Sequence, residues 1–472
     1  MKLKLINNDF LYECENLIRI FYPGVDLKKD DGDYVLVSCE EDISVEINVD
    51  GKSLRKTEKS ESFTEEEVTS LLYTCLCQFC GRENEWGMLT GVRPVKLAFD
   101  MLKEGKTESE ARRVFLEKFK VSPEKASLTV KTALNEREIL SRSGEKSVSI
   151  YVGIPFCPTR CKYCSFVCEG LGSSKNLVDP YIDLLCEEIK LIGEIVESTG
   201  LKVETVYVGG GTPTSVEAHH LDKYLRALRD FIGADKTPEF TVEAGRPDTI
   251  TKEKLDVLKE NGVGRISINP QTLNDEVLKA IGRDHSAEEF LRGYELAKGM
   301  NAFKINVDLI AGLPKDNFDS FKNTVDRVVD LSPDNITVHT LTLKRSAELY
   351  THTEHYLKAT EVKEMVSYAD GKIMENGYSP YYLYRQKNTV GALENTGFSK
   401  KGAECLYNVF IMDETHSILA AGAGASSKIV SGRNNIVRSF NYKFPREYIN
   451  GFEEIVARKK NLEKEIKKSL QI

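Results

Sequence analysis

Residues 149–166 read SIYVGIPFCPTRCKYCSF. An apolar run of strand character delivers three cysteines, Cys157, Cys161 and Cys164, into one short loop at spacings of four and three. A zinc clamp, a disulfide and an iron-sulfur cluster all use cysteine. A closed structural zinc site usually takes four ligands in two pairs, whereas three thiolates in one loop hold three corners of a four-iron cube and leave the fourth iron open. An open iron is a catalytic position. Cys168 follows four residues on, but the loop would have to curl back to bring it to the same cluster, so it is read as outside the ligand set.

Outward from this stretch, the same strand character returns five times: ETVYVGGG, EFTVEAG, GRISINPQ, INVDLIAGLP and NITVHTL. Helical segments begin near Val178, Ala218, Lys252, Asn274, Asn317 and Thr360. Six βα units in succession require parallel strands with crossover helices and strands apolar on both faces. An α/β fold with a partial (β/α)6 barrel over residues 146–385 is the expectation. Most residues of chemical interest fall at C-terminal ends of the predicted strands, where such folds place their sites. Before the barrel, residues 1–62 combine a helical period (Leu11 to Phe21) with the alternations YVLVS and ISVEINV, a small α/β unit. Residues 63–145 turn helical, with capping signals such as Ser122-Pro123-Glu124 ahead of the helix that holds Lys125 to Ile139. Residues 386–472 are read as a C-terminal extension closing the site.

With 472 residues the chain can bury a large core. Its 65 basic and 73 acidic residues leave a net charge of −8, which excludes a general footprint for nucleic acid or an anionic membrane. No apolar run is long enough to span a bilayer. Asn7, Asn8 and Asp9 interrupt the N-terminal apolar stretch before a secretory h-region forms. A cytoplasmic setting is expected, in which the eleven cysteines stay reduced. Cys75, Cys77 and Cys80 lie in the apolar helix LLYTCLCQFC and read as packing residues, as do Cys14, Cys39, Cys186 and Cys405.

YVGIPFCPTRCKYC resembles the opening motif of the radical S-adenosylmethionine (SAM) superfamily, and specifically of its oxygen-independent coproporphyrinogen III oxidase group. VYVGGGTPT, EFTVEAGRPDTI, SINPQTL, AIGRDH and INVDLIAGLP follow in the order of that group, and the likeness covers roughly residues 145–450. WGMLTGVRPVKL, VHTLTLKRSA and YYLYRQKN resemble the HemZ-like branch, which carries an N-terminal extension of this size.

The resemblance implies a radical SAM barrel whose cofactors are a [4Fe-4S] cluster on Cys157, Cys161 and Cys164 and a SAM that chelates the open iron. It places the amino group of SAM against Gly211 and Thr212, after Gly209 and Gly210. Glu243 and Arg283 supply opposite charges for the zwitterionic methionine moiety, and Gln271 and Asp308 match ribose contacts. Tyr163 matches the aromatic position at the adenine, and Tyr151 a tyrosine near the sulfonium. AAGAGASS (residues 420–427) resembles the group's glycine-rich segment beside the site, and NYKFPREYI a segment ending in Pro-x-x-Tyr-Ile. No catalytic side chain is implied beyond the cluster and SAM.

The implied reaction is oxidative decarboxylation of two coproporphyrinogen III propionates to the vinyls of protoporphyrinogen IX, in anaerobic heme biosynthesis, with an external one-electron reductant such as flavodoxin or ferredoxin. Lys344, Arg345, Arg385 and Lys387 follow two late extended segments and are read as rim cations for the propionates. Phe166 stands where the group's best-known oxidases have a fourth cysteine, and Gly153 where they have a histidine. Two alternatives stay open: a radical SAM enzyme that modifies or opens a porphyrin, and a heme-delivery protein. Heme carriers of the group show His-Asn-x-x-Tyr-Trp after an arginine near the end of the barrel. Here Arg385 is followed by Gln386, Lys387 and Asn388, and the only tryptophan is Trp86.

Overall fold

The computed structural model describes residues 1–91, 93–342, 344, 346–351, 358–386, 389–431 and 435–471. The chain divides into two compact units, Met1–Ala133 with Tyr384–Glu394, and Leu134–Leu383 with Asn395–Ile472.

In the first unit, β1 (Lys2–Ile6), β2 (Tyr34–Cys39), β3 (Ile43–Val49) and β4 (Lys52–Glu58) form one sheet in that order. β1 runs parallel to β2, and the remaining pairs are antiparallel. The two alternations YVLVS and ISVEINV are β2 and β3, paired antiparallel. The outer strands, KLKLI and KSLRKTE, carry too many lysines and too short an apolar run to register as strands in the sequence. Along β3 the alternation is read out directly, with Ile43, Val45, Ile47 and Val49 buried. They share one core with Leu17 and Ile18 of the helix Leu11–Phe21 and with Leu72 and Leu76 of the helix Glu65–Cys80. The boundary expected at residue 62 therefore falls inside a single core. A capping box between Thr64 and Glu67 starts the helix Glu65–Cys80, and Gly81 at φ 64 ends it. Cys14, Cys39 and Cys75 are buried in this core, and burial pushes the Cys14 thiol up to about 12 and the Cys75 thiol to about 11. They are inert packing groups, as the apolar helical context predicts.

In the second unit the strands are β5 (Ser147–Ile154), β6 (Phe156–Cys157), β7 (Glu169–Gly170), β8 (Lys202–Gly210), β9 (Glu239–Glu243), β10 (Arg265–Ser267), β11 (Lys304–Ala311), β12 (Asn335–Thr340), β13 (Ser379–Arg385), β14 (Glu394–Ser399), β15 (Ser417–Ala421), β16 (Ser426–Val430) and β17 (Ile436–Phe440). β13 and β14 carry the crossing points between the units. Six strands run parallel in the order β12-β11-β10-β9-β8-β5, the six βα strands of the sequence. Their apolar runs are buried, as in Val148 to Val152 and Val206 to Val208, because crossover helices such as Leu171–Thr199, Ala218–Ala227 and Phe318–Leu331 lie between them. Asn274 and Asn317, predicted as helix starts, cap the helices Asp275–Ala280 and Phe318–Leu331.

The sheet does not end with these six strands. β14 adds antiparallel to β12, β15 adds parallel to β5, and β16 and β17 continue antiparallel, so the whole sheet has eleven strands with open edges at β13 and β17. β15 pairs Ala421 with Val152 and then turns at Gly422, where φ is 92 and a Cβ would stand 2.3 Å from the Gly153 carbonyl oxygen. Only glycine passes that closely. Tyr181 fastens the same turn, donating to the Gly153 carbonyl at 2.6 Å and accepting from the Ala423 N–H at 2.8 Å. Among the described residues no helix is long and apolar enough to cross a membrane.

Candidate functional site

The ladder between β5 and β8 pairs Tyr151 with Tyr207, Gly153 with Gly209 and Ile154 with Gly210, so the cysteine loop and the glycine run leave the sheet side by side. The Gly211 N–H donates to the Ile154 carbonyl at 2.7 Å, and the Thr212 N–H to the Phe156 carbonyl at 2.7 Å. A Cβ on Gly211 would lie 2.5 Å from the Phe156 oxygen, and one on Gly209 3.0 Å from the Glu243 carboxyl. The glycines thus make room for protein: Gly211 for the chain entering the cysteine loop, Gly209 for Glu243. Gly210, at φ 106, lies against Ile154, whose backbone N and O would stand 3.3 Å from its Cβ, with the Tyr151 hydroxyl at 3.5 Å.

Cys157, Cys161 and Cys164 are all free and half-buried. The Cys164 N–H donates to the Cys161 carbonyl at 3.0 Å, and the Cys157 Sγ lies 3.5 Å from the Thr212 Oγ1. Burial pushes the Cys164 thiol up to about 11. The loop does curl back after Cys164, contrary to the expectation for Cys168. β7 pairs parallel with β6, Cys157 opposite Gly170, and the Glu169 N–H donates to the Pro155 carbonyl at 2.8 Å. A hydrogen bond joins the Cys157 and Cys168 thiols, which raises Cys157 and lowers Cys168 to about 7. The short β6–β7 bridge, two residues in each strand, has no sequence signal strong enough to read in advance.

The next strands complete the arrangement, with Asp308 inside β11 and not at its end. Glu243 closes β9 and accepts from the Tyr207 hydroxyl at 2.6 Å; burial nonetheless pushes its carboxyl up to about 7. Arg283 is buried, with Nη1 donating to the Gly245 and Asn269 carbonyls at 3.2 and 2.6 Å, and its charge lies against Tyr163 and Cys161. Gln271 follows β10 at φ 67 and is bridged to β11. Burial raises the Asp308 carboxyl, but the nearby His339 and the hydrogen bond from Asn306 outweigh it and leave the carboxyl below its usual range. Asn306 Nδ2 stands 2.7 Å and His339 Nε2 3.7 Å from Asp308. Tyr151 stacks on Tyr207 and Tyr407 with ring centroids 6.4 and 6.3 Å apart.

Several buried polar atoms here have no protein partner: Gln271 Oε1, Arg283 Nε and both ring nitrogens of His285. A folded chain rarely leaves such atoms unpaired without a ligand to meet them. Three thiols beside two guanidinium groups, Arg246 and Arg283, form a donor set of the kind an anionic iron-sulfur cluster takes. The residues present fit both a cluster and a zwitterionic, hydroxyl-bearing ligand such as SAM.

Not every expected residue joins them. Lys344 is exposed, and Arg345 and Lys387 lie outside the described residues. Arg385 is not at a rim. It is 7% exposed, its guanidinium lies 5.1 Å over the Trp86 ring, Nη1 donates to the Leu89 and Gly91 carbonyls, and Nη2 donates to the Ala392 carbonyl at 3.0 Å. It fastens the inside of the first unit. His339, Asn269, Tyr407 and Arg246 were missed: each is a common residue with no spacing signal of its own, in a strand, in loops or, for Tyr407, in the helix Leu406–Asp413.

The radical SAM superfamily description matches residues 151–328. Over 487 aligned positions the chain is 36% identical to the oxygen-independent coproporphyrinogen-III oxidase-like protein HemZ of Bacillus subtilis, covering 97% of each chain. It is 29% identical to the heme chaperone HemW of Lactococcus lactis over 68% of this chain and 81% of that one. The solved coproporphyrinogen III oxidase HemN of Escherichia coli, a radical SAM enzyme, is similar in fold, with a TM-score of 0.54 at 22% identity over 69% of this chain and 73% of that chain.

Proposed function

From the premise that this chain belongs to the radical SAM superfamily, in the HemZ-like branch of the oxygen-independent coproporphyrinogen III oxidase group, we propose that it oxidatively decarboxylates the propionates of coproporphyrinogen III to vinyl groups. Its cofactors are a [4Fe-4S] cluster and SAM. When bound, they supply a one-electron cleavage whose radical product removes a hydrogen atom from an unactivated carbon.

Cys157, Cys161 and Cys164 would hold three irons and leave the fourth for SAM. Gly210, Gly211 and Thr212 present backbone to its amino group, Glu243 and Arg283 flank its methionine charges, Gln271 and Asp308 take the ribose hydroxyls, and Tyr163 and Tyr151 line the adenine and sulfonium ends. The observation that carries this reading is the set of buried, unpartnered polar atoms on Gln271, Arg283 and His285 around the loop of free thiols. In each half of the reaction a propionate β-carbon loses one hydrogen atom. The Cα–carboxylate bond then breaks, CO2 leaves, one electron passes to an external acceptor, and a vinyl group remains. A flavodoxin- or ferredoxin-type protein donates the electron that starts each turnover. The enclosed strand ends hold the reacting carbon away from water.

Delivery of intact heme is the second reading, favoured by the similarity to the chaperone HemW and opposed by the absence of a His-Asn-x-x-Tyr-Trp run after Arg385. One anaerobic, cluster-loaded preparation separates the two. With coproporphyrinogen III, SAM and a low-potential reductant, release of CO2 and formation of vinyl product are expected. Tight heme binding without either product would replace the proposal by the carrier reading.

A further inference from the structure

The chain after β9 touches the cysteine loop through one charged side chain that the proposed function leaves unused. Arg246 is 2% exposed. One edge of its guanidinium is forked onto Asp248, with Nε to Oδ1 at 2.9 Å and Nη2 to Oδ2 at 3.0 Å. The other edge enters the cysteine loop. Nη1 donates to the Thr159 carbonyl at 3.2 Å and to the Thr159 Oγ1 at 3.0 Å, and it reaches the Cys161 Sγ at 3.9 Å.

A buried cation carries a desolvation cost that one carboxylate only partly offsets, so its remaining donors need strong acceptors. A neutral thiol is a weak one, and a sulfur that carries negative charge on iron is much stronger. Arg246 also immobilises the loop between Cys157 and Cys161, because both its bonds to Thr159 fix backbone and side chain at the midpoint of that segment. Arg283 lies near the same sulfur as well, with its Nη1 donating to the Gly245 and Asn269 carbonyls. Asp248 sets the net charge of the Arg246 fork.

We propose that Arg246 is a positioning residue for the cluster: it holds the Cys161 arm of the loop and raises the cluster's reduction potential through a charged hydrogen bond to the Cys161 sulfur, with Asp248 moderating that charge. Hydrogen bonds to cluster sulfurs and net charge nearby are the levers by which a protein sets such a potential. A positive neighbour favours the reduced state, which carries one more electron. The consequence is an easier first electron from a weak reductant. The inference rests on Cys161 being a cluster ligand.

The test is a spectroelectrochemical titration of the full-length, anaerobically reconstituted protein without SAM or substrate, preceded by an iron count. An iron-free wild type with intact thiols would remove the cluster assignment itself, separately from the role of Arg246. With the cluster in place, Arg246→Gln is expected to lower the reduced-to-oxidised ratio about tenfold at a fixed reductant, about 59 mV for a one-electron couple. Arg246→Lys should fall between that variant and wild type. Asp248→Asn, which leaves the cation less neutralised, should move the midpoint in the opposite, positive direction. Anything other than shifts of opposite sign in Arg246→Gln and Asp248→Asn overturns the proposal. If Arg246→Gln takes up no iron, Asp248→Asn decides alone: a positive shift supports the role, and an unchanged or negative one overturns it.

Discussion

Two glutamates in the second unit, Glu188 buried and Glu243 half-buried, are treated in opposite ways. Glu188, fully buried on the helix Leu171–Thr199, accepts from the Gly422 N–H at 2.8 Å, Asn441 Nδ2 at 2.8 Å and the Tyr448 hydroxyl at 2.7 Å, and pairs with Lys459 Nζ at 2.7 Å. Glu243 accepts one hydrogen bond, from Tyr207, and its carboxyl is driven up to about 7. Both sit at the margin of the same strand ends. Glu188 has every lone pair answered by protein, as a group that fastens structure needs. Among the described residues Glu243 has no cation of its own, as the proposed contact with a ligand cation requires. The carboxylate with unanswered capacity lies on the side proposed for the ligand, and the saturated one belongs to the frame that holds the segments 420–427 and 441–449.

Breaking the saturated centre should have the largest effect. Glu188→Ala leaves Lys459, itself 2% exposed, as an uncompensated buried cation and strips three other donors. A loss of about 3–5 kcal/mol is expected, read as a fall in the urea midpoint at unchanged m. Glu243→Gln should cost far less. A loss of comparable size in both variants would erase the distinction between them.

A pH series sharpens the same contrast. Burial raises the folded-state pKa of Glu243 to about 7, whereas an unfolded glutamate titrates near about 4.3. Between these values the native state binds more protons than the unfolded chain, so this carboxyl makes stability fall as pH rises through the window. The limiting slope is about 1.4 kcal/mol per pH unit. Without SAM, urea midpoints of Glu243→Gln should gain on wild type from about pH 5 to about pH 7 and run parallel to it above. Parallel curves throughout would mean that the carboxyl is not held protonated. A SAM ammonium placed against Glu243 would flatten the wild-type slope.

The sequence carried the parallel strands well, because buried two-sided strands and amphipathic crossover helices leave strong periodic signals over ten or more residues. The three-cysteine loop stands out by its spacing, whereas Gly210, Glu243, Gln271 and Asp308 are named only through the family resemblance: Gly210 and Glu243 end β8 and β9, Gln271 follows β10, and Asp308 lies within β11. The sequence did not carry β1 and β4, whose lysine-rich edges mask the alternation, nor, apart from the extended YYLY of β13, the strands that widen the parallel core to eleven. Pairings such as β15 with β5 join residues more than 260 positions apart, and no local period encodes them. Arg385 failed for a related reason. Its neighbours in sequence suggested an exposed basic pair, whereas Leu89, Gly91 and Trp86, nearly 300 positions away, draw it inside.

The smallest expected effect belongs to the single atom that best separates an open site from a closed one. Gln271 holds a left-handed backbone at φ 67, and its buried Oε1 has no partner. Asp308, its proposed companion at the ribose, is already bonded to Asn306 at 2.7 Å. Truncating Asp308 therefore breaks a protein contact as well as a ligand contact, whereas Gln271→Ala removes an acceptor that the free protein does not satisfy. Stability of the ligand-free Gln271→Ala protein should stay level or rise slightly, because an unpaired buried polar atom costs about 1–3 kcal/mol and its removal relieves that cost. SAM affinity should nevertheless drop by about 1 kcal/mol, roughly fivefold, for one lost hydrogen bond to a neutral hydroxyl. Calorimetric titration of cluster-loaded protein with SAM, beside a urea midpoint for the same preparation, reads both quantities. Unchanged affinity with lowered stability would place Gln271 with Glu188 as a structural group and move the ribose elsewhere.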